Sequence, residues 1–204
     1  MKLFWSPRSP FVRKVVVCAH ELGIEDRIEK VYALVSLNKT NADVMQVNPI
    51  GRIPALVTDD DAVLYDSSVI CEYLDAVHGD SRLFAKDSPR RWDALRRLAL
   101  GDGMLETGVL WRSELSRPAE QQSSAVSAAF EQKTRSAVAA IDRDVPPAER
   151  VGIDIGDVAI GCALGYLDFR YPHLEWRAHA PRAARWFDSF NARPSMQHTK
   201  PYEE

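Results

Sequence analysis

The chain passes from strand to helix through Ser9-Pro10, and this junction restricts the fold more than any other local feature. Lys2 to Trp5 reads as a short strand, and Ser9-Pro10-Phe11-Val12 follows at the head of an apolar run. Proline suits the first helical position, where its missing N–H would be unpaired anyway. Serine suits the N-cap, where its oxygen accepts from an orphan backbone donor. The Ser9 hydroxyl is therefore expected at a helix start, where free N–H groups and the positive helix end favour an anion. A thiolate is such an anion.

Strand and helix signals alternate from there. Pro10 to Leu22 has the helical apolar period, with Phe11, Val15, Cys18 and Leu22 on one face and Gly23 as the stop. Glu29 to Leu34 reads as a second strand, and Asn38 to Val47 as an irregular helix or loop. Ala55 to Thr58 and Val63 to Tyr65 flank Asp59-Asp60-Asp61 and read as a hairpin. Asp66 then opens a helix to about Val77, ended by Gly79. The order is βαβαββα.

Beyond Gly79 only helical patterns remain. Gly79 to Ser88 reads as a polar linker, and Ser88-Pro89 repeats the cap-and-proline signature. Trp92, Leu95, Leu98 and Ala99 follow at helical spacing, and Gly101, Gly103 and Gly108 imply a kink or close packing. Val126, Phe130, Lys133, Ala137 and Ile141 mark another helix, broken by Pro146-Pro147. Asp154 and Asp157 form a capping pair for the next, which runs to about Phe169. A last helix carries Trp186, Phe187 and Phe190, and Ser195 to Glu204 reads as a polar tail on the surface. The expected division is an α/β unit over residues 1–78, a linker over 79–87 and an all-helical unit over 88–204.

Composition narrows the function classes. Of 204 residues, 46% are hydrophobic and 27% charged, enough for a packed core. A net charge of −3 and a pI near 6.0 argue against a general nucleic-acid binder. No apolar stretch approaches the length needed to span a bilayer, Val15 to Ala19 being only five residues, so no membrane segment is expected. Cys18, Cys71 and Cys162 lie far apart in apolar patterns, and the five histidines show no ligand spacing. Packing thiols, a reducing cytoplasm and no metal are the expectation.

Three segments carry candidate chemistry: Ser9; Asn48-Pro49-Ile50-Gly51-Arg52-Ile53-Pro54-Ala55-Leu56; and Asp66-Ser67 with Val69-Ile70-Cys71-Glu72-Tyr73-Leu74. In this order they resemble the cytosolic glutathione transferase superfamily, in particular its bacterial, serine-type members. Ser9-Pro10-Phe11-Val12 stands where glutaredoxins carry Cys-Pro-Tyr-Cys. Asn48 to Leu56 is similar to the family's N-P-x-G-x-I/V-P-x-L segment, and Ile153 to Val158 to the capping segment of its second domain. The resemblance spans essentially the whole chain. It implies a thioredoxin-like N-terminal domain followed by a helical bundle, glutathione as co-substrate, a hydrophobic electrophile and a homodimer. The dimer would use the Trp92 to Trp111 helix and the far end of the Asp66 to Val77 helix.

The same resemblance assigns roles. Pro54 would be cis, and the backbone of Ile53 would pair with the cysteinyl part of glutathione as an added strand. Asp66 would meet the γ-glutamyl ammonium, and Ser67 its carboxylate. Lys39 lies where the glycyl carboxylate is often held. Ser9 would donate a hydrogen bond to the ionised sulfur, contributing about 1.5–3 kcal/mol, with about 0.3–1 kcal/mol from the helix end. Together these lower a thiol pKa by about one to three units. Serine forms no mixed disulfide, so attack on an electrophilic carbon is expected rather than thiol reduction.

Other residues stay open at this stage. Ser6 is a rival hydroxyl in the same loop. Arg8 either faces the second substrate or is simply solvated. Trp5, Met104, Trp111 and Tyr202 either line an apolar pocket or pack in the core. Two further functions compete: a binding or stress-response module without turnover, and glutathione-dependent cis–trans isomerisation of an unsaturated diacid held by Arg8.

Overall fold

A proline-led helix between two β-prone segments can return the chain to a parallel neighbour of its first strand, and this is what the chain does. The computed structural model describes residues 1–86, 90–146 and 152–203. Strand β1 (Lys2–Trp5) is followed by α1 (Pro10–Leu22), β2 (Glu29–Tyr32), α2 (Ala42–Val47), β3 (Ala55–Val57), β4 (Val63–Leu64) and α3 (Ser67–His78). The sheet order is β2-β1-β3-β4. β1 runs parallel to β2 and antiparallel to β3, with Leu3 opposite Lys30 and Leu56. β3 and β4 form the expected hairpin, shorter at each end than the sequence suggested.

The remainder is helical among the described residues: α4 (Arg90–Leu115), α5 (Ser124–Arg143), α6 (Ile155–Arg170), α7 (Trp176–His179), α8 (Pro181–Asn191) and α9 (Pro194–His198). α6 is its axis, buried from Ile155 to Leu167. Asp154 and Asp157 cap it reciprocally, and Arg97 of α4 bonds both carboxylates at 2.6 Å. The glycines of α4 divide. A Cβ at Gly101 would lie 2.7 Å from the Ala159 backbone, so Gly101 lets α4 and α6 approach closely, whereas Gly103 faces open space.

α1 is enclosed by both parts of the chain. It packs on α3 on one side and on α6 and α9 on the other. Ten of its thirteen residues are buried, Arg13 and Lys14 among them.

Two expectations are corrected. The supposed polar linker is anchored: Leu83 and Phe84 are buried, and their backbone N–H groups donate to the fully buried Asp75 carboxylate. The supposed surface tail begins as α9, where Ser195 and Met196 are buried. A local polar count could not detect either anchor, because both depend on partners distant in sequence. The Ser88-Pro89 start and the Pro147 break lie outside the described residues. No described helix is long and apolar enough to cross a membrane.

Candidate active site

The loop between β1 and α1 holds two serines in different settings. Ser9 caps α1 with extended backbone, and its Oγ accepts from the Val12 N–H at 3.3 Å. Ser6 is buried in the turn; its carbonyl accepts from the Ser9 N–H at 3.2 Å, and its Oγ accepts from the Arg8 N–H at 3.4 Å. Ser9 thus stands partly exposed at the positive end of a three-turn helix, while Ser6 shapes the approach to it.

The second segment is pinned by Asn48. Its side-chain amide donates to the Arg52 carbonyl at 2.8 Å, and its Oδ1 accepts from the Ile50 N–H at 3.3 Å. Gly51 closes the turn at φ 64°, a left-handed conformation that glycine adopts without steric cost. Ile53-Pro54 is cis and delivers the chain into β3. In the sequence Asn48 stands out only as part of a motif, yet its bonds hold this loop in place.

The third segment is the start of α3. Asp66 is the N-cap, and its Oδ1 accepts from the Ser68 N–H at 2.9 Å and the Val69 N–H at 3.5 Å. Ser67 behind it is buried. Ser68 is tied to α1 and α4: Lys14 Nζ donates to Ser68 Oγ at 3.1 Å and to both Asp102 oxygens, at 2.5 and 2.7 Å, and Ser68 Oγ donates to Asp102 at 2.8 Å. This knot, buried at Lys14 and partly exposed at Asp102, holds the Asp66-Ser67 end of α3 against α1. Sequence reading missed it, since a lysine in an apolar stretch advertises no partner.

The remaining candidates fall in separate places. Lys39 is exposed beside a bridge to Ser36. Trp5 is partly buried at the end of β1. Met104 and Trp111 are in the core, and the Trp111 ring stacks on Tyr171 with centroids 4.6 Å apart. Arg8 is half-buried and pairs with Glu203 at 3.8 Å. Tyr202 is exposed. The three cysteines are buried and unbridged, and burial pushes the Cys162 thiol up to about 11. Among the described residues, no three His, Cys, Asp or Glu side chains gather as a metal site would need.

A βαβ unit joined to a ββα unit, with two capped helix starts held together and a helical half behind them, defines a thioredoxin-like domain with a helical extension. The family models for the glutathione S-transferase N-terminal and C-terminal domains match residues 8–77 and 124–189. The chain belongs to the glutathione S-transferase family. It is 40% identical to a glutathione transferase family member of Pseudomonas fluorescens Pf-5 solved with bound glutathione, with a TM-score of 0.95 over 99% of each chain. A second structure described in the same terms, with bound S-(propanoic acid)-glutathione, matches at 39% identity and a TM-score of 0.90 over the full length of both chains. Among curated proteins it is 29% identical, over 98% of each chain, to the uncharacterized GST-like protein YibF of Escherichia coli K12.

Proposed function

We propose that the protein is a glutathione transferase that ionises the thiol of glutathione at Ser9 and directs it onto an electrophilic carbon. The Lys14 to Ser68 contact of 3.1 Å carries this reading, because it links the helix begun by Ser9 to the helix begun by Asp66-Ser67. One peptide with a thiol in its middle and charged groups at one end suits two such helix starts. The relative that holds S-(propanoic acid)-glutathione contains a glutathione alkylated at sulfur, which supports carbon as the centre attacked.

The thiol proton passes to solvent, and Ser9 keeps its own hydroxyl proton while donating a hydrogen bond to the thiolate. The sulfur lone pair forms the C–S bond, and the electrons of the broken bond leave with a displaced group or pass to a carbon that is then protonated. Ile53 pairs its backbone with the cysteinyl residue, and Pro54 sets its direction. Asp66 takes the γ-glutamyl ammonium, Ser67 the adjoining carboxylate and Lys39 the glycyl carboxylate. Arg8 and Trp5 face the electrophile, with Met104 and Trp111 behind them as packed wall. Exposed Trp92, Val69 and Val77 on α4 and α3 favour a homodimer across that surface. A cytoplasmic role in removing electrophiles fits three unbridged thiols.

Calorimetric titration of glutathione into wild type and Ser9→Ala, with thiolate absorbance followed across pH, tests the reading. Wild type should bind and ionise the thiol near neutral pH, and Ser9→Ala should bind without ionising it. No binding to wild type would sink the transferase and leave a module for other partners. Binding with turnover only on cis-unsaturated diacids would favour the isomerase reading, for which Arg8 beside Ser9 is the supporting observation.

A further inference from the structure

Glu203 lies against an arginine cluster beside the proposed sulfur site. Its carboxylate pairs with Arg170, at the end of α6, and with Arg8, the residue before Ser9. The hydrogen bond from Arg170, with the charges of Arg170, Arg8 and Arg112, holds the Glu203 carboxyl below its usual range. Arg170 is fixed in place: its guanidinium lies 4.0 Å over the Phe169 ring and bonds the Tyr166 hydroxyl. Its Nε is nevertheless buried without a hydrogen-bond partner. Arg13 of α1 brings the segment here, donating to the Met196 carbonyl at 3.2 Å and to Thr199 Oγ1 at 3.4 Å. From Lys200 to Glu203 the backbone has no regular structure.

Glu203 therefore divides its two oxygens between two guanidiniums and meets each through a single nitrogen. A small free carboxylate can do better, because a planar guanidinium binds a carboxylate through two parallel bonds. Glu203 is also half exposed, and an exposed ion pair of this kind contributes little and is cheaply broken.

We propose that Arg8 and Arg170 form a carboxylate subsite for the second substrate, and that Glu203 occupies it in the free protein as a built-in competitor. The electrophile is then one whose reactive carbon is joined to a carboxylate, which displaces Glu203 on binding. This deepens, and rests on, the transferase reading above.

The test compares S-(2-carboxyethyl)glutathione with S-(2-carbamoylethyl)glutathione by calorimetry. The two probes have nearly the same shape and the same glutathione carboxylates, and differ only in the charge of the added group. Wild type should bind the acid roughly threefold more tightly than the amide. Glu203→Gln should widen that preference by about as much again, and Arg8→Gln should narrow it, with circular dichroism melting verifying that each variant is folded. Equal affinity for acid and amide in both wild type and Glu203→Gln would overturn the proposal, as would a preference left unchanged in Arg8→Gln. Failure of wild type to bind glutathione itself, read in a separate titration, would remove the underlying reading instead.

Discussion

The ammonium of Lys14, with no exposed side-chain surface, meets the Asp102 carboxylate at 2.5 and 2.7 Å. The two residues are 88 positions apart and join α1 to α4. Removing one member of a buried pair strands the other charge at a cost of about 3–5 kcal/mol, whereas replacing both with apolar groups is often tolerated. Asp102→Asn should therefore destabilise the fold by about 3 kcal/mol or more in urea denaturation. A Lys14→Met/Asp102→Leu double variant should recover much of that loss. If the single and double variants lose the same stability, a stranded charge is not the cause of the loss.

Asp75 accepts from the N–H groups of Leu83 and Phe84 while fully buried. Asp75→Ala leaves those donors without a partner, and about 2–3 kcal/mol of stability should go with them. Limited proteolysis should then cut near residue 84, where the wild type resists.

Glu21 ties α1 to α9 through Arg193 and Ser195. Burial pushes its carboxyl up, but the hydrogen bonds from Arg193 and Ser195 and the charge of Arg193 outweigh this and leave it below the ordinary value of 4.5. A carboxyl depressed in the folded state stabilises it above the unfolded pKa, and that contribution is lost as pH falls through the folded value. Melting temperature should accordingly fall as pH drops below about 4.5, more steeply in wild type than in Glu21→Gln. Parallel slopes would assign the acid sensitivity to other groups.

All three cysteines should be silent towards a thiol-reactive disulfide at pH 8 in the native protein. Burial raises the Cys162 thiol to about 11 and the Cys18 thiol well above normal, so thiolate is scarce as well as enclosed. Denaturant should release three reactive thiols. A fast-reacting native thiol would contradict their role as packing residues.

Gly101→Ala would force its new methyl into the Ala159 backbone at 2.7 Å. Overpacking of this kind typically costs about 1–3 kcal/mol. Gly103→Ala, facing open space in the same helix, should instead be neutral or slightly stabilising, since alanine is the better helix former. Thermal melts of the two variants give the comparison directly.

What could be read from the chain alone was what neighbouring residues decide among themselves. Ser9 and Gly23 bound α1, and Asp154 with Asp157 starts α6, because a cap and its target lie within three or four positions. The Asp66 cap was legible for the same reason, whereas the Asn48 to Pro54 loop was legible only through the family resemblance. What escaped depends on distant partners. Lys14 meets Ser68 and Asp102, 54 and 88 positions away, and nothing near it in sequence announces them. Leu83 and Phe84 were hidden in a stretch read as linker, because Asp75 is what draws them in. The segment after Pro194 was misjudged because its Ser195 and Thr199 hydroxyls bond inward, to Glu21 and Arg13.

The burial of α1 on both flanks bears on how such a protein can be taken apart. Its sheet-facing neighbours and its helical neighbours satisfy different side chains of the same thirteen residues, with Arg13 answered from the helical half and Lys14 by Asp102 there as well as by Ser68 of α3. The α/β half severed from its companion would expose two cations and an apolar flank at once. Chimeras that exchange helical halves between relatives must therefore bring matching counter-groups for α1 with them. The helix that presents Ser9 is in this sense common property, and the two halves are not interchangeable parts.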